Sequence, residues 1–280
     1  MTAIFSDTQK RRLRELGVSI AETELLFENN ETRDRKYQSF ERHLVKKERE
    51  RLDEYIEKSR RPKICTLEEK LAKRLAAEGF IQVSTPVIMK SASLAKMGID
   101  EVHPLFSQVF RIDEKRCMRP MLAPHLYEIA RELLRLREEP VRLFEIGLCF
   151  RKESQGAKHA SEFTMLNLAE FGLPDTERKQ RIEQLTAIVM NCVGNADYAY
   201  EVEESEVYGD TVDIVDRATG MELGSSAMGP HPLDRNWRIN STWVGIGFGL
   251  ERLIMATDKR ANMGRLARSL TYLDGIRLNI

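Results

Sequence analysis

The sequence predicts an α+β fold, a largely antiparallel sheet flanked by helices and preceded by a separate helical segment. Three observations carry this. Strand-like runs at 141–153, 162–171, 208–215, 222–227 and 243–248 include several in succession without an intervening helix, the pattern of an antiparallel rather than a doubly wound sheet. Helical stretches at 125–137, 177–193 and 250–257 separate the others. The texture also changes at Arg61-Pro62. Before it the chain is charged and aromatic-poor; after it a stripe of Leu67, Leu71 and Leu75 begins near Thr66. Two domains are expected, a charged helical segment over 1–62 and a catalytic domain over 63–280.

Each element has a local reason. Ser6 or Asp7 is placed to cap a first helix with Leu13 and Leu16 on its apolar side. The run 33–63 interleaves Arg35, Lys36, Arg42, Lys46, Lys47, Arg49, Arg51, Arg60 and Arg61 with fewer acids. On a helix many of these fall four residues from a Glu, so the run is either a self-paired solvated surface or a phosphate-contacting arm. Phe80 to Pro86 reads as a strand closed by proline.

Composition narrows the function classes. Lys+Arg and Asp+Glu are equal at 44 each, so nucleic-acid binding requires a local patch rather than a global field. The four cysteines, Cys65, Cys117, Cys149 and Cys192, form no CxxC pair, which argues against a disulfide framework and a zinc site. No signal-like or membrane-spanning apolar run occurs, and a cytoplasmic location is expected. Neither GxGxxG after a strand nor GxxxxGK[ST] is present.

Three segments carry candidate chemistry. In Phe150-Arg151-Lys152-Glu153, Arg151 and Glu153 share a strand face. They either pair with each other or line a polar pocket that meets a phosphate and a base. In 162–169, Phe163, Met165, Asn167 and Ala169 face one way and Leu166 and Leu168 the other. A half-buried Asn167 needs partners, structural or from a substrate. In 243–252, Gly245, Gly247 and Gly249 share a face with Trp243. Something approaches that backbone closely, either a neighbouring element or a ligand. Arg252 lies in the first turn of the following helix, where the macrodipole disfavours a cation unless an anion sits opposite.

Together with Pro86, the Phe-Arg-Lys-Glu and Gly-Phe-Gly-Leu-Glu-Arg segments stand in the order of motifs 1, 2 and 3 of class II aminoacyl-tRNA synthetases, which the chain resembles. The HIGH and KMSKS signatures of class I are absent. RPMLAP, FEIGLCFRKES, EFTMLNL, VYGDT, GPHPLD and TYLDG further resemble the pyrrolysyl-tRNA synthetase family. The N-terminal helices are similar, more loosely, to the tRNA-facing extension of the family's short forms, which lack a fused N-terminal tRNA-binding domain.

The resemblance implies ATP and Mg²⁺ as cofactors, and as partners a cognate tRNA, an amino-acid substrate and a second copy in a homodimer; the family's tRNA-binding domain is then either a separate tRNA-binding protein or absent. It implies that Arg151 holds the α-phosphate, that Glu153 and His159 meet adenine and phosphates, and that Phe163 stacks on adenine. Glu222 and Ser225 would position Mg²⁺, and Arg252 would clamp the γ-phosphate. The amino-acid pocket would comprise Ala123, Leu126, Tyr127, Ala130, Asn167, Ala169, Tyr208, Ala227, Trp243 and Gly245, with Asn167 bonding a side-chain amide carbonyl. Basic residues Lys259, Arg260, Arg265 and Arg268 would join the N-terminal helices in gripping tRNA.

Two features resist a simple fit. Glu222 and Ser225 are three apart, so a regular strand would point them to opposite faces unless Gly224 permits a bulge. Ala130 and Ala169 are smaller than the family's usual residues, His125 and Ala160 also differ, and Arg111 stands where Trp is frequent. The competing expectations are another class II synthetase, a non-catalytic RNA-binding paralogue, and an amide-forming ligase on the same fold.

Overall fold

The computed structural model describes residues 2–152, 160–195, 197–205, 207–258 and 263–280. The chain forms two compact units, Met1–Pro62 with Arg268–Ile280, and Lys63–Ala267. The tail, expected to close the catalytic domain, therefore groups with the N-terminal segment.

The first unit begins with β1 (Ala3–Ile4), α1 (Asp7–Glu15), α2 (Ile20–Thr23), β2 (Leu26–Phe27) and α3 (Asn30–Glu57). Ser6 caps α1 in a reciprocal capping box with Gln9. Phe5, Leu13 and Val18 make a small core against Tyr37, Phe40 and Leu44 of α3. The tail enters through one buried acid. Glu48 of α3, 4% exposed, accepts from the backbone N–H of Arg277 at 2.8 Å. Arg277 in turn reaches Glu15 at 2.9 Å. Such long-range ties are invisible to periodicity, which is why the tail's allegiance was not legible.

The second unit opens with α4 (Lys63–Ala77), which buries Leu67, Leu71 and Leu75. Gly79 takes φ +83° and lets Phe80 N–H return to the Leu75 carbonyl, ending the helix. Then follow β3 (Ile81–Gln82), β4 (Ile88–Lys90), α5 (Ser91–Lys96), α6 (Pro104–Gln108), β5 (Arg116–Met118), α7 (Ala123–Leu136), β6 (Val141–Phe150) and β7 (Glu162–Phe171). The remainder is α8 (Arg178–Val193), β8 (Tyr198–Ser205), β9 (Gly209–Asp216), β10 (Glu222–Gly229), α9 (Asp234–Trp237), β11 (Trp243–Gly249) and α10 (Leu250–Asp258).

The main sheet has seven strands in the order β3-β6-β7-β11-β10-β9-β8. Every pairing is antiparallel except β3 with β6. Alternation divides the side chains between two cores. Leu166, Leu168, Val244, Ile246 and Phe248 pack with residues of α4, α8 and α10. Leu143, Ala169, Phe171, Ala227 and Trp243 pack on the other side with Leu126, Tyr127 and Ala130 of α7.

Three sequence expectations need correction. The strand expected over 80–86 shrinks to β3, because Val83 N–H makes its bond to Phe144 and the chain then leaves the sheet. β6 ends at Phe150, so Arg151 lies just past the strand. β8 was not anticipated; its Tyr-Ala-Tyr-Glu-Val-Glu-Glu run is too acidic to read as a strand, yet it pairs with β9 along its length.

Candidate active site

Strand register builds the site. Across β7, β11 and β10 the residues on the cavity face fall into rows: Asn167, Gly247 and Ser225; then Ala169, Gly245 and Ala227; then Phe171, Trp243 and Gly229. Met165 opposite Gly249 precedes them, and Arg252 follows Gly249 in α10. The four rows cover about 20 Å at ~3.4 Å per residue. They run from a charged end, through an amide, to an aromatic end. They floor a cavity of about 750 Å³.

The cavity is lined by Arg151, Phe163, Glu222, Ser225 and Arg252 at the charged end. Ala123, Leu126, Tyr127, Asn167, Ala169, Tyr208, Ala227, Trp243 and Gly245 line the rest. Ala130 does not line it. It is fully buried on α7 in the core beneath the wall, so its size acts on packing rather than on the cavity surface. Glu153 and His159, and among the basic residues Lys259 and Arg260, lie outside the described residues.

The glycine strand is explained by what leans over it. A Cβ on Gly247 would sit 2.8 Å from Asn167 Oδ1, and one on Gly245 would sit 3.2 Å from the Trp243 ring. These glycines give the Asn167 amide and the indole room to lie across the floor. The bulge required by Glu222 and Ser225 is present: the register shifts between Glu222 and Gly224. Glu222 then opposes Val215 and Ser225 opposes Asp213, two residues on one face of β9.

At the charged end Arg252 Nη1 donates to Glu222 Oε2 at 2.9 Å. Arg151 donates through Nε to the Pro120 carbonyl at 3.0 Å, and its guanidinium stands 5.3 Å from the Phe163 ring centroid. Glu251, beside Arg252 but 2% exposed, accepts the Thr164 N–H with both carboxylate oxygens at 2.9 and 3.0 Å. It anchors α10 to β7. Cys149, opposite Phe163, is wholly buried; burial pushes its thiol up to about 12, so it serves as packing rather than as a nucleophile.

Behind Arg151 lies a buried polar network. Arg119 pairs with Glu145 at 2.7 Å, both nearly inaccessible, and donates through Nε to the Leu148 carbonyl at 2.6 Å. The Phe150 N–H donates back to the Arg119 carbonyl at 2.9 Å. A Cβ on Gly147 would lie 2.2 Å from the Arg119 guanidinium, so the guanidinium occupies the space that glycine leaves. Thr85 Oγ1 donates its one proton to Glu145 at 2.7 Å and accepts from Arg119 at 2.9 Å. Its 3.0 Å contact with His125 is therefore donated by the imidazole Nδ1–H. Burial lowers the His125 pKa, against the pull of Glu128. Arg119, Thr85 and Glu145 were missed because their partners are distant in sequence.

At the aromatic end Tyr127 stacks on Trp237 at 5.4 Å and meets Trp243 edge-on at 5.7 Å. Tyr208, in the turn between β8 and β9, is edge-on to Trp243 at 6.0 Å. Burial raises the Tyr127 and Tyr208 phenols above their ordinary range, so both are hydrogen-bonding groups rather than charges. Trp237 was missed, since its GPHPLD-to-Trp243 stretch shows no periodicity.

A mainly antiparallel sheet carrying an arginine at the end of one strand and a second arginine on a glycine-floored strand-to-helix turn defines a class II aminoacyl-tRNA synthetase catalytic core. Residues 53–209 match the phenylalanyl tRNA synthetase beta chain CLM domain. The crystal structure of pyrrolysyl-tRNA synthetase from Desulfitobacterium hafniense is 50% identical and covers 99% of each chain at a TM-score of 0.93. A second structure of that organism's pyrrolysyl tRNA synthetase is 48% identical, covering 99% of this chain and 96% of its own at 0.91. The chain belongs to the pyrrolysyl-tRNA synthetase family. The threonine–tRNA ligase of Rhodospirillum rubrum is 30% identical over 96 residues, which are 34% of this chain and 15% of that protein. That match is a shared core rather than a shared whole.

Proposed function

We propose that this chain activates pyrrolysine or a related lysine derivative with ATP and transfers it to the 3′ end of a cognate tRNA. The observation that carries the reading is the order of rows along β7 and β11. Arg151 and Arg252 stand at one end, the Asn167 amide in the middle, and an apolar, aromatic chamber at the other. A long side chain ending in an amide-linked ring matches that order, whereas lysine's ammonium would lie unpaired in the aromatic end.

Among the described residues no three His, Cys, Asp or Glu side chains come close enough to hold a metal alone. The donors present still fit Mg²⁺, which keeps water and takes one or two protein oxygens together with phosphates. Glu222 and Ser225, brought to one face by the bulge, would hold it, and bound there it would neutralise the leaving pyrophosphate.

The first step forms a bond between the amino-acid carboxylate oxygen and the ATP α-phosphorus and breaks the bond to the β-phosphate, releasing pyrophosphate. The nucleophile is already ionised, so no general base is needed. Arg151 orients the α-phosphate, its own direction set by Pro120 and Phe163. Arg252 exchanges Glu222 for phosphate oxygen and holds the leaving end in line. In the second step a terminal ribose hydroxyl attacks the activated carbonyl and AMP leaves. The exposed cations of α3, including Lys46 and Lys47, would contact tRNA phosphates.

Amino-acid-dependent ATP–pyrophosphate exchange, followed by charging of a tRNA panel, tests the reading. Exchange with pyrrolysine and none with lysine is expected. Exchange with no amino acid would leave a binding module, and exchange without tRNA charging would leave an amide-forming ligase. Charging should also weaken steeply as salt rises; a flat response would remove the α3 contact.

A further inference from the structure

Asp234 has no place in the chemistry above, and it does not line the cavity. It is nonetheless a buried acid that accepts two hydrogen bonds on the aromatic side. It opens α9, is 3% exposed, and accepts through Oδ2 from Trp243 Nε1 at 2.9 Å and from the His231 N–H at 2.7 Å. The His231 ring stands 5.6 Å from that of Tyr208. One carboxylate thus touches the end-wall indole directly and the backbone of the residue behind Tyr208.

Trp243 lies over Gly229, where a Cβ would come within 1.9 Å of Nε1. Ring contacts with Tyr127, Phe171 and Tyr208 surround the indole, and Asp234 accepts its N–H. A buried indole N–H without an acceptor is costly, and an ionised acceptor makes the stronger bond. Asp234 and Tyr208 are also the groups that, after burial itself, hold the Tyr127 phenol protonated.

The geometry points to Asp234 as the positioning residue of the pocket's end wall: by fixing the Trp243 indole, it sets how long an amino-acid side chain the site accepts. This rests on the reading that the aromatic end receives that side chain. It separates the two ends of the cavity, because Asp234 acts on amino-acid recognition and leaves the ATP end alone.

The test uses the full chain in ATP–pyrophosphate exchange, varying pyrrolysine and a series of Nε-acyl lysines of increasing size, with ATP varied separately. D234A is expected to raise KM for pyrrolysine tenfold or more. ATP KM should stay within twofold, and preference should shift toward bulkier side chains. D234N, which keeps an acceptor in place, should recover to within about threefold of the parent. W243F alone should reproduce most of the loss, and D234A added to W243F should then cost less than twofold more. Parallel changes in both KM values, or the same fold loss from D234A with and without Trp243, would overturn the inference. Should D234A fail to fold, D234N carries the test on its own: a tenfold rise in pyrrolysine KM with D234N also overturns it. An inactive parent chain would instead refute the proposed function.

Discussion

Arg252 and Glu222 are bonded to each other, the guanidinium donating to the carboxylate at 2.9 Å and to the Glu222 carbonyl at 3.3 Å. The two groups proposed for opposite partners, phosphate and Mg²⁺, are thus bonded to each other. The pair is partly exposed, at 26% and 48%, and pairs of that kind contribute about 0–1 kcal/mol to stability. R252A should leave the Tm within a few degrees while lowering exchange by roughly 10²–10³-fold. Thermal unfolding beside exchange kinetics checks this; equal loss of both would make Arg252 structural.

Asn167 and Gly247 face each other across β7 and β11. N167A should abolish exchange with pyrrolysine-type substrates while ATP binding persists, since a site built to bond a polar group rejects its absence strongly. G247A places a methyl at the Asn167 Oδ1 and should displace the amide, raising amino-acid KM with ATP KM unchanged. Unaltered aminoacylation by N167A would remove the assignment.

Arg119 and Glu145 form the buried pair behind Arg151. Removing one partner strands the other's charge, so R119M should cost about 3–5 kcal/mol in urea unfolding. R119M combined with E145Q should cost less than R119M alone, because no uncompensated charge remains. A double variant less stable than R119M would contradict the pairing.

His125 has a folded pKa below its ordinary 6.5 because burial disfavours the imidazolium. The unfolded chain then binds more protons than the folded one between the two values. Stability is full above 6.5 and declines as pH falls toward the folded pKa. H125N should flatten that decline between pH 7.5 and 5, measured as the shift in urea midpoint. An identical slope in both proteins would assign the effect elsewhere.

Much of this was legible in the chain. β7 and β11 follow from alternation, since Leu166 and Leu168 against Asn167 and Ala169 admit one division of faces, and it is the one observed. α4 and α8 follow from apolar spacing, and α1 from a cap at Ser6 with Leu13 and Leu16 on its apolar side. Asn167, Arg252 and the glycine floor stood out because each broke a local rule.

The residue order along the strands was determined by sequence alone. Since side chains alternate with period two, the run from Met165 to Phe171 already carries the polar-to-aromatic gradient of the cavity. Only the tertiary structure decided which strands lie side by side, and hence that Ser225, Gly247 and Asn167 form one row. It also decided that a one-residue bulge turns Glu222 toward Ser225, that Ala130 sits behind the wall, and that Arg277 returns to Glu48. Each of these depends on hydrogen bonds or burial between residues far apart in the chain, whose energies no local pattern encodes.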